Sequence, residues 1–476
     1  MVRLGRILAV AALGSTLLTT PAGSLTAPGS PVWVARYDGP GHFLDEADAV
    51  AVSPDGATVY VTGLSDRKSF LFSADYATIA YDAKTGAELW VDRYNGPGGG
   101  WDHARAIAVS PDGNTVYVTG GSRGIGTGQD YATIAYEAAT GARLWVARHD
   151  GATHRLDSAL SIAVSPNGGT LYVGGWSQTG VTERGNRRLD FATVAYTAES
   201  GRQLWLATYS GPSGSDDYAF SVAVGPDGGR VYVTGWDRGG HGFTDDASTV
   251  AYDAATGAQL WVARYDGAIH RSDAAYSLAL SPDGQTVFIA GESYSRRGVD
   301  HALAVAFNAA TGAQLWAVNS RLFAGTEYSN ATSVEVAPDS SRVYITGATS
   351  TARATGCLYP NDYLTAAFDA ATGTRLWASR YDGPAHCYDY AQSIGVSPDG
   401  RAVYVTGTSK GEGQDYATVA YDAISGEQIQ VARYDGPAGW DAANALAVGP
   451  DGSLYVTGES ASRHYRDYGT IRYVLE

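Results

Sequence analysis

Ser53-Pro-Asp-Gly56, then Thr58-Val-Tyr-Val-Thr-Gly63, then Asp75-Tyr-Ala-Thr-Ile-Ala80, then Asp82-Ala-Lys-Thr-Gly-Ala-Glu-Leu-Trp90: this order of turn, strand, strand, turn and strand decides the fold. The first turn returns at Ser110–Gly113, Ser165–Gly168, Gly225–Gly228, Ser281–Gly284, Ala337–Ser340, Ser397–Gly400 and Gly449–Gly452, about every 56 residues. Proline and glycine punctuate tight turns, with glycine free to take positive φ. The segments between them are rich in β-branched residues, aromatics and alanine, and no helical period is present. Four strand patterns per unit, eight times over, predict an all-β, eight-bladed β-propeller with four antiparallel strands per blade.

The same unit accounts for both ends of the repeat array. In the first blade the strands are read at Ala47–Ser53, Thr58–Thr62, Tyr76–Asp82 and Ala87–Arg93. An orphan fourth-strand pattern, Val32–Asp38, precedes that blade, whereas the last unit stops at Tyr468–Glu476 after three strands. The N-terminal strand is therefore expected to complete the C-terminal blade, which removes two open sheet edges. Fourth strands carry Trp33, Trp90, Trp145, Trp205, Trp261, Trp316 and Trp377, with Gln430 in the remaining one. Small first-strand residues such as Ala49, Ala51, Ala106 and Ala108 leave room that these rings are expected to fill. Each ring buries about 150–250 Å², an upper bound of roughly 4–6 kcal/mol. The seam at Gln430 is accordingly expected to be the weakest.

Residues 31–476 read as one propeller domain, with 1–30 outside the repeats. Arg3 and Arg6, the apolar run Ile7–Leu18 and the small residues around Ala22–Ala27 read as a secretory signal peptide, too short for a membrane anchor. It holds no cysteine for lipidation, and no other segment is long and apolar enough to span a bilayer. The expected product is a secreted, soluble monomer. Its formal charge is −16, and Lys68, Lys84 and Lys410 are its only lysines. That balance argues against a nucleic-acid partner. Cys357 and Cys387 fall on loops of one face and are expected to pair in an oxidising compartment.

Two motifs that look like chemistry fail on context. Thr119-Gly-Gly-Ser-Arg-Gly-Ile-Gly126 resembles a dinucleotide fingerprint, and Gly407-Thr-Ser-Lys-Gly411 a nucleophile elbow. Both need a helix next, and a strand follows each. Ser409 aligns with Ser65, Ser122, Ser177 and Ser460, so it reads as a structural serine. One aspartate opens the first strand of seven blades (Asp45, Asp102, Asp157, Asp217, Asp273, Asp389, Asp441), with Ser329 in the sixth. Another opens the third strand (Asp75, Asp130, Asp190, Asp246, Asp362, Asp415, Asp467). Both sets are expected to accept backbone N–H bonds in loops, and no metal is expected.

The more informative residues lie on the face opposite the tight turns. His42, His154, His270 and His386 stand three residues before the ring aspartate of blades 1, 3, 5 and 7, where the others carry Gly99, Gly214, Thr326 and Ala438. Blade spacing is too wide for the four to share one ion; local His–Asp hydrogen bonds are expected. Directly before the ring aspartates, Tyr328, Tyr388, Trp440, Leu44 and Trp101 present an apolar or aromatic arc over blades 6, 7, 8, 1 and 2. Variable insertions at Ser65–Ala74, Ser177–Leu189 and Thr349–Asn361 share that face. Aromatics on an acidic rim suit a glycan or a peptide. With no convergent catalytic set, a non-catalytic binding module is the expected function. A polysaccharide hydrolase or lyase acting through His386 and Asp389 is one alternative.

Ala80-Tyr-Asp-Ala-Lys-Thr-Gly-Ala-Glu-Leu-Trp90, repeated at Ala251–Trp261 and Ala367–Trp377, is similar to the tryptophan-docking motif of quinoprotein alcohol dehydrogenases. Over nearly all of its mature length the chain thus resembles the PQQ-like eight-bladed propellers. The resemblance implies docking of each blade on the next, and, for the family's dehydrogenases, bound pyrroloquinoline quinone (PQQ) and calcium beneath a ring of two adjacent cysteines. Here the two cysteines lie thirty residues apart. The family also includes non-catalytic members, among them a lipoprotein of the outer-membrane assembly machinery. A quinone-dependent oxidoreductase is the second alternative the resemblance leaves open.

Overall fold

The computed structural model describes residues 29–67, 73–181, 185, 187–239, 244–295, 299–319, 321–323, 326–351, 357, 360–462 and 465–475. The expected leader, except Gly29 and Ser30, lies outside the described residues, as do parts of the three insertions, His241 and His464. Among the described residues there are eight four-stranded antiparallel sheets and no helix. Blade 1 consists of Asp45–Val52, Thr58–Asp66, Ala74–Asp82 and Glu88–Tyr94, and the order repeats through blade 7. The strands run further toward the loop-rich face than their alternation indicates, because pairing continues to Ser65↔Asp75 and Asp66↔Ala74.

Blade 8 is closed as expected. Trp33–Tyr37 pairs antiparallel with Arg466–Tyr473, in register from Trp33↔Arg472 to Tyr37↔Tyr468. First strands of neighbouring blades touch all the way round, blade 8 to blade 1 included, so they line the central axis and the fourth strands form the rim. There is no single core. Apolar clusters instead fill the wedges between blades, such as Val59, Val61 and Ile79 of blade 1 against Tyr455 and Tyr468 of blade 8.

The tryptophans do not fill space left by the first-strand alanines. A fourth strand is too far from the axis for that. The Trp90 indole N–H donates to the Ala138 carbonyl of blade 2 at 2.9 Å, and its ring covers Gly141, whose φ is +72°. A Cβ at Gly141 would stand 2.5 Å from the ring, so glycine is required there by both conformation and contact. Trp33, Trp145, Trp205, Trp261, Trp316 and Trp377 make the same bond to Ala83, Ala198, Ala254, Ala309, Ala370 and Ala423 at 2.9–3.2 Å. The small first-strand residues serve close approach of inner strands at the axis. At the seam without a ring, Gly29 (φ +79°) takes the turn glycine's place beside Gln430.

Candidate binding site at the channel mouth

The channel mouth is built on a constant frame. The buried first-strand aspartates accept backbone N–H bonds from the connection that precedes them: Asp45 from Gly39 at 2.8 Å, Asp157 from Gly151 at 2.8 Å and Asp389 from Gly383 at 2.8 Å. Burial pushes these carboxyls up, Asp45 and Asp273 to about 6 and Asp217 to about 7. Ser65, Ser177 and Ser409 oppose Asp45, Asp157 and Asp389 in the second strand. Ser409 is buried and accepts from Arg433 at 2.6 Å. It is a structural serine, and strands follow both glycine motifs.

The third-strand aspartates behave differently from expectation. They pair with guanidinium groups: Asp467 with Arg36 at 2.9 Å, Asp130 with Arg148 at 2.8 Å and Asp415 with Arg433 at 2.5 Å. A carboxylate this buried needs a charge partner, and the fourth strand supplies it. Sequence reading missed these arginines, although Arg-Tyr-Asp-Gly recurs at Arg36–Gly39, Arg264–Gly267, Arg380–Gly383 and Arg433–Gly436.

The four histidines bond locally, to the aspartate four residues earlier. His42 Nδ1 meets Asp38 at 2.7 Å, His154 meets Asp150 at 2.5 Å, His270 meets Asp266 at 2.6 Å and His386 meets Asp382 at 2.8 Å. The Asp38, Asp150 and Asp382 carboxylates hold His42, His154 and His386 above the usual imidazole range. In blade 8 the equivalent of these residues is Gly439 (φ +69°) rather than Ala438, because that connection is one residue shorter.

Inside this frame one position varies. In each blade the pairing of first and second strands is interrupted by a β-bulge between two small residues. The bulged residues are Asp48, Arg105, Leu160, Phe220, Tyr276, Thr332, Gln392 and Asn444. A bulge re-aims a side chain without changing the strand's faces, and here it sets eight dissimilar side chains around the axis. The signal was present as a variable residue in a repeated Ala-X-Ala or Ala-X-Ser frame.

Over blades 3 to 7 the mouth of the channel is aromatic. Tyr218 meets Trp236 at 4.6 Å, Trp176 at 5.8 Å and Phe220 at 6.4 Å, and Phe220 meets Tyr276 at 5.7 Å. The Tyr276 hydroxyl donates to Glu292 at 2.6 Å, and Asn330 donates to the Tyr390 hydroxyl at 2.7 Å. Tyr388 stacks on Tyr390 at 6.2 Å. Burial, then Tyr390 and Glu292, push the Tyr328 phenol up. Tyr328 and Tyr388 thus join this wall, and all these rings are half-buried.

Over blades 8, 1 and 2 the mouth is charged. Buried His103 meets Asp48 through Nε2 at 2.6 Å, and Arg105 reaches the same carboxylate at 3.2 Å. Glu459, also buried, accepts from Arg466 at 2.7 Å. Burial and then Glu46 push the Glu459 carboxyl up to about 7. Trp440 lies under the Arg466 guanidinium at 3.6 Å, and Trp101 meets His103 edge-on at 6.2 Å. The expected arc is therefore corrected: Trp101 and Trp440 belong to the charged half, because each packs against a basic side chain.

Cys357 and Cys387 form a disulfide with Cα atoms 5.6 Å apart. It ties a loop of blade 6 to the connection into blade 7. At the other end of the channel Glu335 replaces the alanine or glycine of the other blades and faces a cavity of about 340 Å³.

The family model described as outer membrane protein assembly factor BamB matches residues 4–186 and 132–430. The chain belongs to this family. It is a PQQ-like eight-bladed propeller in fold. No curated protein sequence matches it. Among solved structures, Chaetomium thermophilum Sqt1 bound to the N-terminus of ribosomal protein L10 is similar at 12% identity and TM-score 0.60, over 93% of this chain and 100% of that one. Quinohemoprotein alcohol dehydrogenase from Comamonas testosteroni is similar at 14% identity and TM-score 0.55, over 93% and 76%. A europium-containing methanol dehydrogenase is similar at 13% identity and TM-score 0.54, over 92% and 85%. At such identities the likeness concerns the fold alone. Among the described residues no helix is long and apolar enough to cross a membrane.

Proposed function

We propose that the protein is a secreted, non-catalytic module whose channel mouth captures a cationic peptide segment. The observation that carries this reading is the divided rim, with half-buried rings on one side and Glu46, Asp48 and Glu459 on the other. A lysine or arginine side chain is attracted to the faces of Trp176, Tyr218 and Trp236, while its charge is attracted to the carboxylates. The net charge of −16 favours encounter with a cation at low salt. The solved Sqt1 propeller, whose partner is a protein N-terminus, is a precedent for the mode. The apolar run Ile7–Leu18 behind two arginines supports export.

A quinone fits this mouth poorly. PQQ carries three carboxylates and would meet Glu46, Asp48, Glu292 and Glu459, which outnumber Arg105 and Arg466. Hydrolysis through His386 and Asp389 is not favoured, since Asp382 holds the imidazole and Gly383 N–H holds the carboxylate. A glycan is the second reading, because flat half-buried rings also stack on sugars.

Arrays of lysine- and arginine-bearing peptides, acidic peptides and neutral oligosaccharides, probed with the full chain, test the proposal. Basic peptides are expected to bind, with affinity falling about tenfold or more in Phe220→Ala and in Asp48→Asn. Capture of oligosaccharides alone would refute the peptide reading. Binding of basic peptides unaffected by either substitution would refute the mouth.

A further inference from the structure

At four of the eight blade junctions the connection reads Asp-Gly-x-x-His-x-x-Asp: Asp38–Asp45, Asp150–Asp157, Asp266–Asp273 and Asp382–Asp389. The histidines sit in the left-handed region at φ +49° to +54°, where a non-glycine residue is strained. Gly99 and Gly214 make the same turn in blades 2 and 4, at φ +61° and +56°. Histidine is thus unnecessary for the turn. Each histidine has an aspartate four residues earlier, where blades 2 and 4 have Asn95 and Ser210 and blade 8 has Asp435 before Gly439.

At each of these four junctions a third carboxylate arrives from the preceding blade, and carboxylate oxygens of all three lie within 4.8 Å of one another. Two junctions show more. Between blades 2 and 3, Asp130 Oδ1 and Asp150 Oδ1 are buried without any hydrogen-bond partner, as is Asp266 Oδ1 between blades 4 and 5, where the Asp273 carboxyl has the Ser293 hydroxyl as its neighbour. Asp130 is only 3% exposed. A native fold rarely leaves buried carboxylate oxygens unbonded without a reason.

We propose that these two junctions bind a divalent cation of calcium's kind, one through Asp130, Asp150 and Asp157, the other through Asp246, Asp266 and Asp273. Such an ion takes oxygen ligands at about 2.3–2.6 Å, which places ligand atoms up to roughly 5 Å apart. Three carboxylates face one guanidinium, Arg148 in the first site and Arg264 in the second, which Asp237 shares. The carboxylates outnumber the basic groups that face them, Arg148 and His154 in the first site and Arg264 and His270 in the second. His154 and His270 donate to one oxygen of Asp150 and Asp266 and leave the other for the ion, the orienting role that outer partners give to carboxylate ligands. These sites use Asp157 and Asp273 of the constant frame and none of the rings or carboxylates proposed to hold the peptide.

Isothermal titration with calcium and native mass spectrometry of the full chain, both after EDTA treatment, test the proposal. Two ions per chain are expected, one in either Asp150→Asn or Asp266→Asn, and none in the double variant. Asn95 occupies the same place between blades 1 and 2, so the fold accepts asparagine there. Asp75→Asn, at that junction, is expected to keep both ions. An absence of binding to the wild type up to about 5 mM calcium, or two ions still bound by the folded double variant, would overturn it.

Discussion

The two halves of the channel mouth stand on the same backbone frame and differ in chemistry. Blades 3 to 7 present Trp176, Tyr218, Phe220, Trp236, Tyr276, Tyr328, Tyr388 and Tyr390, whereas blades 8, 1 and 2 present Glu459, Arg466, Glu46, Asp48, His103 and Arg105. Ring aspartates, turn glycines and fourth-strand tryptophans repeat around the ring because each blade must pack on the next. The bulged residue escapes that demand. Positions that a repeat holds constant serve the scaffold, and those it varies at one height around the axis are free to serve a ligand.

The largest difference expected between the halves is in pH dependence. Glu459, at about 7 in the fold, binds its proton more tightly than an unfolded glutamate. Its contribution to stability is full below the ordinary value near 4.5 and is lost as pH rises through about 7. That contribution is about 3 kcal/mol in order of magnitude. Urea unfolding of Glu459→Gln from pH 5 to 8 should show a flatter profile than wild type, while Phe220→Ala should keep the wild-type slope. Parallel profiles for Glu459→Gln and wild type would contradict the assignment.

Next in size is Arg466→Ala. It strips Glu459 of its partner at about 2 kcal/mol, moderated by the carboxyl taking up a proton; a midpoint unchanged at pH 8 would count against the pairing. On the aromatic side, Tyr276→Phe leaves Glu292 without its donor and should cost about 1–2 kcal/mol in the same measurement. The smallest effect is expected for Gln392→Ala, an exposed bulge residue, within about 0.5 kcal/mol. A larger loss there would show that bulge side chains carry the scaffold after all.

The blade count, the strand order and the closure by Trp33–Tyr37 were legible because turn residues return at a fixed period and the two ends are complementary. That the histidines bond locally was legible too, but their partners are the aspartates four residues earlier and not the ring aspartates three residues later. The tryptophans were read onto the wrong neighbour, since a strand pattern does not say how far each strand stands from the axis. Asp130 and Asp157 belong to different blades and lie twenty-seven residues apart, so no linear spacing brings them together with Asp150. The bulges are marked only by a variable residue in a repeated Ala-X-Ala or Ala-X-Ser frame, because one inserted residue leaves the apolar alternation on either side intact. Trp176, Trp236, Tyr390, Glu292 and Glu459 were missed because their blades hold different residues at those places.

The most direct test of the divided mouth is photo-crosslinking of a bound basic peptide, with adducts mapped by mass spectrometry. Adducts on both halves, at residues such as Trp176, Tyr218 or Tyr276 and at Glu46 or His103, are the expected result. Adducts confined to the tight-turn face around Pro338 and Pro398, or to the outer strands, would contradict it.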